Sequence, residues 1–127
     1  MFLQPQTVPP SLEKIASTPV LSSEMPAGFT HVKIVRLPPT ARIHTLGGVR
    51  IDFSNARESY SASYALMRTN AAAVRLAHIE ANFNGHGLFH TKAAVVGRIA
   101  VGVTAKTVGQ ARTLLRLALA HLRRAVG

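Results

Sequence analysis

Two histidines in a glycine-containing loop are the first candidates for chemistry in this sequence. His86 and His90 stand four residues apart in the segment HGLFH. On a helix this spacing would place both imidazoles on one side, where they could bind a metal ion. Gly85 and Gly87 argue against a helix, and the acid closest in sequence is Glu80, so surface or hydrogen-bonded histidines are the favoured interpretation. We therefore expect no metal and no other cofactor, with His86 and His90 kept only as metal-ligand candidates.

The same loop offers a second kind of chemistry, the binding of an anion. Residues 84–87 (NGHG) can bend so that backbone N–H groups point at one anion, with Lys92 and Arg98 supplying positive charge. The segment matches neither the phosphate-binding P-loop nor the dinucleotide fingerprint in its spacing. The favoured interpretation is a helix end, at which a glycine takes the left-handed conformation.

This chain contains few of the side chains that catalyse reactions. There are five Asp and Glu residues and no Cys, which excludes thiol nucleophiles, thiolate metal sites and disulfides and leaves little room for paired carboxylates. Ser54, His31 and Asp52 could form a Ser–His–Asp set on paper, but no nucleophile elbow surrounds the serine. We expect a protein that is not an enzyme.

The charge balance points to a different class of function. Fifteen Lys and Arg residues against five Asp and Glu residues give a formal net charge of +10. Such a charge favours nucleic acid, anionic lipid or acidic proteins as partners. A GC-rich coding bias is the alternative explanation, because it also produces many arginines. The last predicted helix carries four arginines and no acid, and three of them form a stripe by their spacing. The candidate residues for binding an anion or nucleic acid are Arg112, Arg116, Arg123, Arg124, Lys92 and Arg98.

Alternating apolar and polar residues predict the strands. Strands are expected over residues 29–37, 49–54 and 59–67, with a weaker candidate over 41–45. Two short apolar strands, TKAAVVG and RIAVGVT, meet at Gly97 further along the chain.

Two helices are predicted from capping residues and helical spacing. The first begins at Thr69 or Asn70, and the second runs from Thr107 to about residue 125, where Thr107 and Gln110 fit a capping box. The order β-β-β-α-β-β-α predicts an α+β fold, an antiparallel sheet of about five strands with both helices on one face. A ferredoxin-like plait is the alternative. The first helix is expected to bury a stripe of Ala72, Ala73, Leu76, Ile79 and Phe83. One common core is expected to hold Val49, Ile51, Phe53, Leu76, Ile79, Val101, Leu114, Leu115, Ala118 and Leu122.

The chain is expected to divide into an arm and one domain. Residues 1–28 contain five of the seven prolines and show no sustained period, which predicts a flexible arm that packs only in part. Residues 29–127 are expected to form a single α+β domain. No run reaches the ~18 to 20 apolar residues that cross a bilayer, and the first residues lack a signal peptide. A cytoplasmic protein is expected, with a secreted mature form left open.

The last predicted helix suggests self-association. Its five leucines, between residues 114 and 122, cover more of the circumference than one sheet face can hide. A second copy of the chain would cover the rest, and so would the N-terminal arm lying across it. The first expectation for function is therefore a small non-enzymatic binding or assembly module, a homo-oligomer. The alternatives are a nucleic-acid or polyanion binder that uses the arginine helix, and a small-ligand or enzymatic site near residues 82–92.

Overall fold

The computed structural model describes residues 9–40, 45–83 and 88–127. A 3₁₀ turn at Ser22–Glu24 precedes the first strand. The helices and strands are α1 (Pro10–Ser17), β1 (His31–Leu37), β2 (Thr45–Ser54), β3 (Ser59–Met67), α2 (Asn70–Ala81), β4 (His90–Val96), β5 (Ile99–Ala105) and α3 (Val108–Val126). The predicted α+β fold is confirmed, with α1 added before the predicted order. The strand candidate over residues 41–45 lies, except for Thr45, outside the described residues.

The five strands form one antiparallel sheet in the order β1-β2-β3-β5-β4. Tyr64 in β3 pairs with Val49 in β2 and with Val101 in β5. Because paired residues in an antiparallel sheet point to the same side, these three side chains share one face, here called the front face. The back face carries the alternate residues of the same strands, including Ser63 and Gly102.

The two long helices lie on opposite faces of the sheet, which corrects the prediction that both lie on one face. Leu114, Ala118 and Leu122 of α3 are buried against front-face residues. Ala73 and Ala77 of α2 are buried in a separate cluster with Ala100 of the back face. The apolar run of β5 is therefore covered on both sides, as is typical of strands that lack alternation.

The core of the protein lies between the front face and α3. The Thr107 hydroxyl caps α3 by accepting a hydrogen bond from the Gln110 backbone N–H (3.1 Å), as its sequence predicted. The predicted common core holds for β2, β5 and α3, with three differences. Leu115 is only partly buried, Leu76 packs in the back-face cluster rather than in the front core, and Ile79 is exposed.

Residues 9–28 are built into the domain, which differs from the expected flexible arm. Pro10 occupies the first turn of α1, where a proline is tolerated because its missing N–H has no helical partner. Leu12 and Ile15 are fully buried in the front core, and α1 packs against α3. A Cβ at Gly47, which has a positive φ of 134°, would lie 3.3 Å from the Leu12 side chain, so this glycine permits the close approach of β2 and α1. Part of the wide apolar surface of α3 is thus covered within the chain by α1, while Leu115, Leu117 and Leu119 are only partly buried.

The segment after α1 is held to α3 by a buried ion pair. The carboxylate of Glu24, 5% exposed, accepts hydrogen bonds from Arg124 Nε (2.7 Å) and Nη2 (2.9 Å). His121, also buried, lies between Glu24 Oε1 (3.0 Å) and the Ile15 carbonyl oxygen (3.1 Å). These contacts join residues about 100 positions apart in the sequence and close the front layer.

Candidate ligand-binding site

The orientation of α2 on the back face creates the site. Thr69 caps the helix by accepting a hydrogen bond from the Ala72 N–H (3.1 Å). Ala73 and Ala77 face the sheet, where their small side chains allow a close approach to Ala100. Ile79 is 59% exposed and Phe83 is 60% exposed, so the predicted apolar stripe is wrong at these two positions. The helix is rotated so that alanine, rather than the larger side chains, meets the sheet.

This rotation points Glu80 at the sheet. Glu80 follows Ala73 by seven residues and Ala77 by three, which is the spacing of one helix face. Its carboxylate lies over Gly102 of β5, where a Cβ would overlap Oε2 and lie 2.8 Å from Cδ. Glu80 is not among the site residues predicted from the sequence. The available signal was an acid in register with two alanines, in a chain with only five acids.

A cavity of about 330 Å³ opens between the end of α2 and the back face of the sheet. This volume is at the small end of the range for ligand pockets, ~300 to 1,000 Å³. Its walls are mostly apolar, with a carboxyl and three hydroxyl groups among them. The described residues that line it are Ser63, Ile79, Glu80, Phe83, Phe89, Thr91, Gly102, Val103 and Thr104.

The environment of Glu80 favours its neutral form. Burial raises the pKa of the Glu80 carboxyl to about 7, because few water molecules remain to solvate the charge. Among the described residues, no side chain or backbone N–H donates a hydrogen bond to this carboxyl group. The other four carboxylates of the chain each have a described partner. These pairs are Glu13 with Arg36, Glu24 with Arg124, Asp52 with Arg50, and Glu58 with the Tyr60 hydroxyl.

Two hydroxyl groups of the cavity have their protons directed to the backbone. The Thr91 hydroxyl donates to the Glu80 carbonyl oxygen at 2.7 Å. The Ser63 hydroxyl donates to the Gly102 carbonyl oxygen at 3.3 Å. Each hydroxyl has a single proton, so the oxygens of Thr91 and Ser63 remain available to a bound molecule as acceptors.

Aromatic and aliphatic side chains form the mouth of the cavity. The rings of Phe83 and Phe89 stack with centroids 5.7 Å apart and planes 15° apart. Ile79 and Phe83 of the lining are exposed, Ile79 by 59% and Phe83 by 60%. Exposed apolar residues of this size around a cavity are typical of a surface that contacts an apolar molecule.

Two further surface depressions have less chemistry to offer. One of about 260 Å³ lies beside Phe29 and contains Glu58, whose carboxylate already accepts from the Tyr60 hydroxyl. The other is the open back face of β1, β2 and β3, where the predicted serine, histidine and aspartate lie together. There Asp52 pairs with Arg50 (2.9 Å), and among the described residues neither His31 nor Ser54 hydrogen-bonds to Asp52. No catalytic set is formed by these three residues.

The predicted arginine stripe is exposed on α3. Arg112, Arg116 and Arg123 all face solvent, and none of them forms a salt bridge with the acids of the chain, all of which lie in the described part. Arg124 differs from them, since it pairs with Glu24 and also donates to the Pro19 carbonyl oxygen. Arg124 therefore holds the fold together, and the stripe consists of the other three arginines.

The remaining predicted site residues are spread over the sheet. Lys92 is half-buried in β4, opposite Val103 and thus on the front face. Arg98 lies in the turn after β4, about 20 Å along the strand from His90, and donates to the Arg68 carbonyl oxygen (3.4 Å). His86 and residues 84–87 lie outside the described residues. Within the described ranges no three His, Asp or Glu side chains converge on a metal position.

The comparisons with known proteins give no relative for this chain. No protein-family model matches it, and no curated protein and no solved structure is significantly similar to it. In the described part of the chain, no helix has the length and apolar character needed to cross a membrane.

Proposed function

We propose that this protein is a small non-enzymatic binding module that holds a small, largely apolar molecule between α2 and the back face of the sheet. The observation that carries the proposal is the cavity of about 330 Å³ with the Glu80 carboxyl at its base. A partly buried acid without a described partner is unfavourable for folding. Such a group is typical of functional sites, where ligand contacts compensate for it.

Binding fits the lining of the cavity better than catalysis does. General acid–base catalysis commonly requires a second polar or titratable group beside the first, placed to act on the reacting atoms. Glu80 is the one titratable side chain among the described residues of the lining. The Ser63 and Thr91 hydroxyls both donate to backbone carbonyl oxygens rather than to the Glu80 carboxyl, so neither is activated as a nucleophile.

A pair of serine variants tests the proposal. Ser63→Leu adds a side chain that fills the cavity, whereas Ser61→Leu places the same side chain two residues away on the open part of the same strand face. The binding of 2-phenylethanol is followed by amide chemical shifts in two-dimensional NMR spectra. We expect shifts at residues of the lining in the unchanged protein and in Ser61→Leu, and none in Ser63→Leu. Shifts that persist in Ser63→Leu, or that occur only away from the cavity, would contradict the proposal.

The arginine stripe supports a second candidate function, the binding of a polyanion by α3. Its support is that Arg112, Arg116 and Arg123 are exposed and free of salt bridges to the acids of the chain. Phosphate contacts release counterions, so the affinity for duplex DNA should fall with salt with a log–log slope of about −0.9 per contact. Arg116→Ala should flatten this slope by roughly one unit, whereas the matched variant Arg75→Ala, exposed on α2 at the back, should not. Equal effects of the two variants would indicate attraction by net charge alone.

Self-association stays a prediction. The surface that suggested it is covered in part by α1, and Leu115, Leu117 and Leu119 of α3 are only partly buried. Light scattering of the purified chain over a range of concentrations measures this directly.

A further inference from the structure

The geometry points to a ligand class for this cavity, an organic ammonium ion with a small apolar body, with the Glu80 carboxylate as its counter-ion. This inference rests on the proposed binding function and adds the chemistry that selects the ligand. Three independent features of the described lining favour a positively charged hydrogen-bond donor over a neutral molecule or an anion.

The first feature is the carboxyl group itself. Glu80 is placed over Gly102, at the base of an apolar cavity, with no described donor to neutralise it. Fourteen of the fifteen Lys and Arg residues lie in the described part of the chain, yet none of these forms a salt bridge with Glu80. A bound ammonium group would supply the missing charge and up to three N–H donors.

The second feature is the direction of the hydroxyl groups. The protons of Ser63 and Thr91 point to backbone carbonyl oxygens, so these two residues offer acceptors to the cavity. An anionic ligand would meet the carboxylate and these oxygen lone pairs, and would be repelled. A donor-rich group such as an ammonium matches them.

The third feature is the aromatic pair at the mouth. The stacked rings of Phe83 and Phe89 present π surface beside the cavity. A cation near the face of an aromatic ring is attracted by the ring quadrupole. The cavity volume of about 330 Å³ limits the apolar body to roughly one ring with a short side chain.

The binding of a cation should compete with the protonation of Glu80. The pKa of this carboxyl, raised by burial to about 7, means that it is mostly neutral in mildly acidic solution and mostly ionised above neutral pH. Among the described neighbours, His78 is exposed on α2 and His90 lies at the start of β4, with neither lining the cavity. Affinity for an ammonium ion should therefore increase from pH 5.5 to pH 8, and affinity for a neutral analogue should change little.

Calorimetry compares the binding of three probes that share a phenylethyl body, 2-phenylethylamine, 2-phenylethanol and 3-phenylpropionate, to the full chain at pH 8 and pH 5.5. At pH 8 we expect the amine to bind at least about tenfold more tightly than the alcohol, as expected for a hydrogen bond between charged groups, and the carboxylate to bind more weakly than either. In Glu80→Gln the amine should lose this advantage while the alcohol still binds. Glu58→Gln is the matched control, because Glu58 lies outside the cavity and should leave the preference unchanged.

Each outcome bears on one of the two proposals. If the alcohol or the carboxylate binds the unchanged protein as tightly as the amine at pH 8, ammonium selection is wrong although the cavity binds ligands. If none of the probes binds, the proposed function itself fails. If Glu80→Gln does not fold, the pH series on the unchanged protein tests ammonium selection instead. A preference for the amine over the alcohol that is equal at pH 5.5 and pH 8 overturns the inference.

Discussion

The carboxylate of Glu80 and the backbone of Gly102 are in direct contact across the space between α2 and β5. A Cβ at residue 102 would overlap Glu80 Oε2, so the carboxyl group can lie at the base of the cavity only because residue 102 has no side chain. Gly102 thus belongs to the site although it carries no functional group. The residue type at position 102 of β5 therefore decides whether the cavity contains a carboxyl group.

Gly102→Ala should expel the Glu80 carboxyl from the cavity. The atoms in the way belong to the end of a flexible side chain, so we expect the carboxyl to move toward water rather than the strand to shift. Stability should change by no more than about 1 kcal/mol, because release of a partly buried acid offsets the crowding. The preference for 2-phenylethylamine over 2-phenylethanol at pH 8 should fall to that of Glu80→Gln. Gly109→Ala, where a Cβ meets no atom within 4 Å, is the control and should keep the preference.

Glu80→Gln should stabilise the protein at alkaline pH. The pKa of the Glu80 carboxyl is raised from 4.5 to about 7 in the folded state, so the folded chain holds more protons than the unfolded chain between these values. The free energy of unfolding therefore falls as pH rises through this window, and the glutamine variant escapes that loss. We expect Glu80→Gln to be more stable by about 1 to 3 kcal/mol at pH 8 and nearly equal at pH 4.5. Urea unfolding at the two pH values measures this, and a variant less stable at pH 8 would show that Glu80 has a stabilising partner.

The strands and α3 could be predicted because their signals are local. The alternation over Ser59–Met67 gives β3 with both ends correct, and the Thr107 cap fixes the start of α3. The side of the sheet that each helix covers is not a local property. Consecutive apolar residues such as those of β5 are typical of a strand covered on both faces, whereas the short connections led to the prediction of both helices on one face.

The site was harder to predict than the fold, because it depends on the rotation of α2. Ala73 and Ala77 have little hydrophobic surface, so the periodicity gave more weight to Ile79 and Phe83, which prove to be exposed. Close packing of alanine on Ala100 determines the rotation, and it involves residues far apart in the sequence. For α1, Pro10 at the first turn and the spacing of Leu12, Ile15 and Ala16 were available signals, but the surrounding prolines obscured them.

Leu12→Ala tests whether the N-terminal segment is part of the core. Leu12 is fully buried, so its truncation should cost about 2 to 5 kcal/mol of unfolding free energy. Leu88→Ala removes the same atoms from a side chain that is 79% exposed and should cost less than about 0.5 kcal/mol. Chemical denaturation of both variants gives the comparison. Equal stability of the two would mean that residues 9–28 behave as the flexible arm expected from the prolines.

Glu24 should contribute most to the loss of folding stability at acidic pH. The Arg124 guanidinium, which bonds both carboxylate oxygens, contributes most to lowering the pKa of Glu24 to about 2, and His121 and the Leu21 backbone N–H add to it. The two ring nitrogens of His121 face the Glu24 carboxylate and the Ile15 carbonyl, so both contacts are hydrogen bonds only when the imidazole carries two protons.

A carboxyl whose pKa is lowered on folding stabilises the protein above its unfolded pKa, near 4.5, and this stability is lost as pH falls toward 2. Glu24→Gln should therefore cost about 3 kcal/mol at pH 6, with a difference from the unchanged protein that shrinks steadily below pH 4. Glu13→Gln, which removes an exposed partner of Arg36, is the control and should cost much less stability than Glu24→Gln, because solvent screens the exposed pair. Thermal unfolding at pH 6, 4 and 3 distinguishes the two variants. If Glu24→Gln is as stable as the unchanged protein at pH 6, the ion pair does not hold the N-terminal segment to α3, and the burial of α1 must supply that attachment alone.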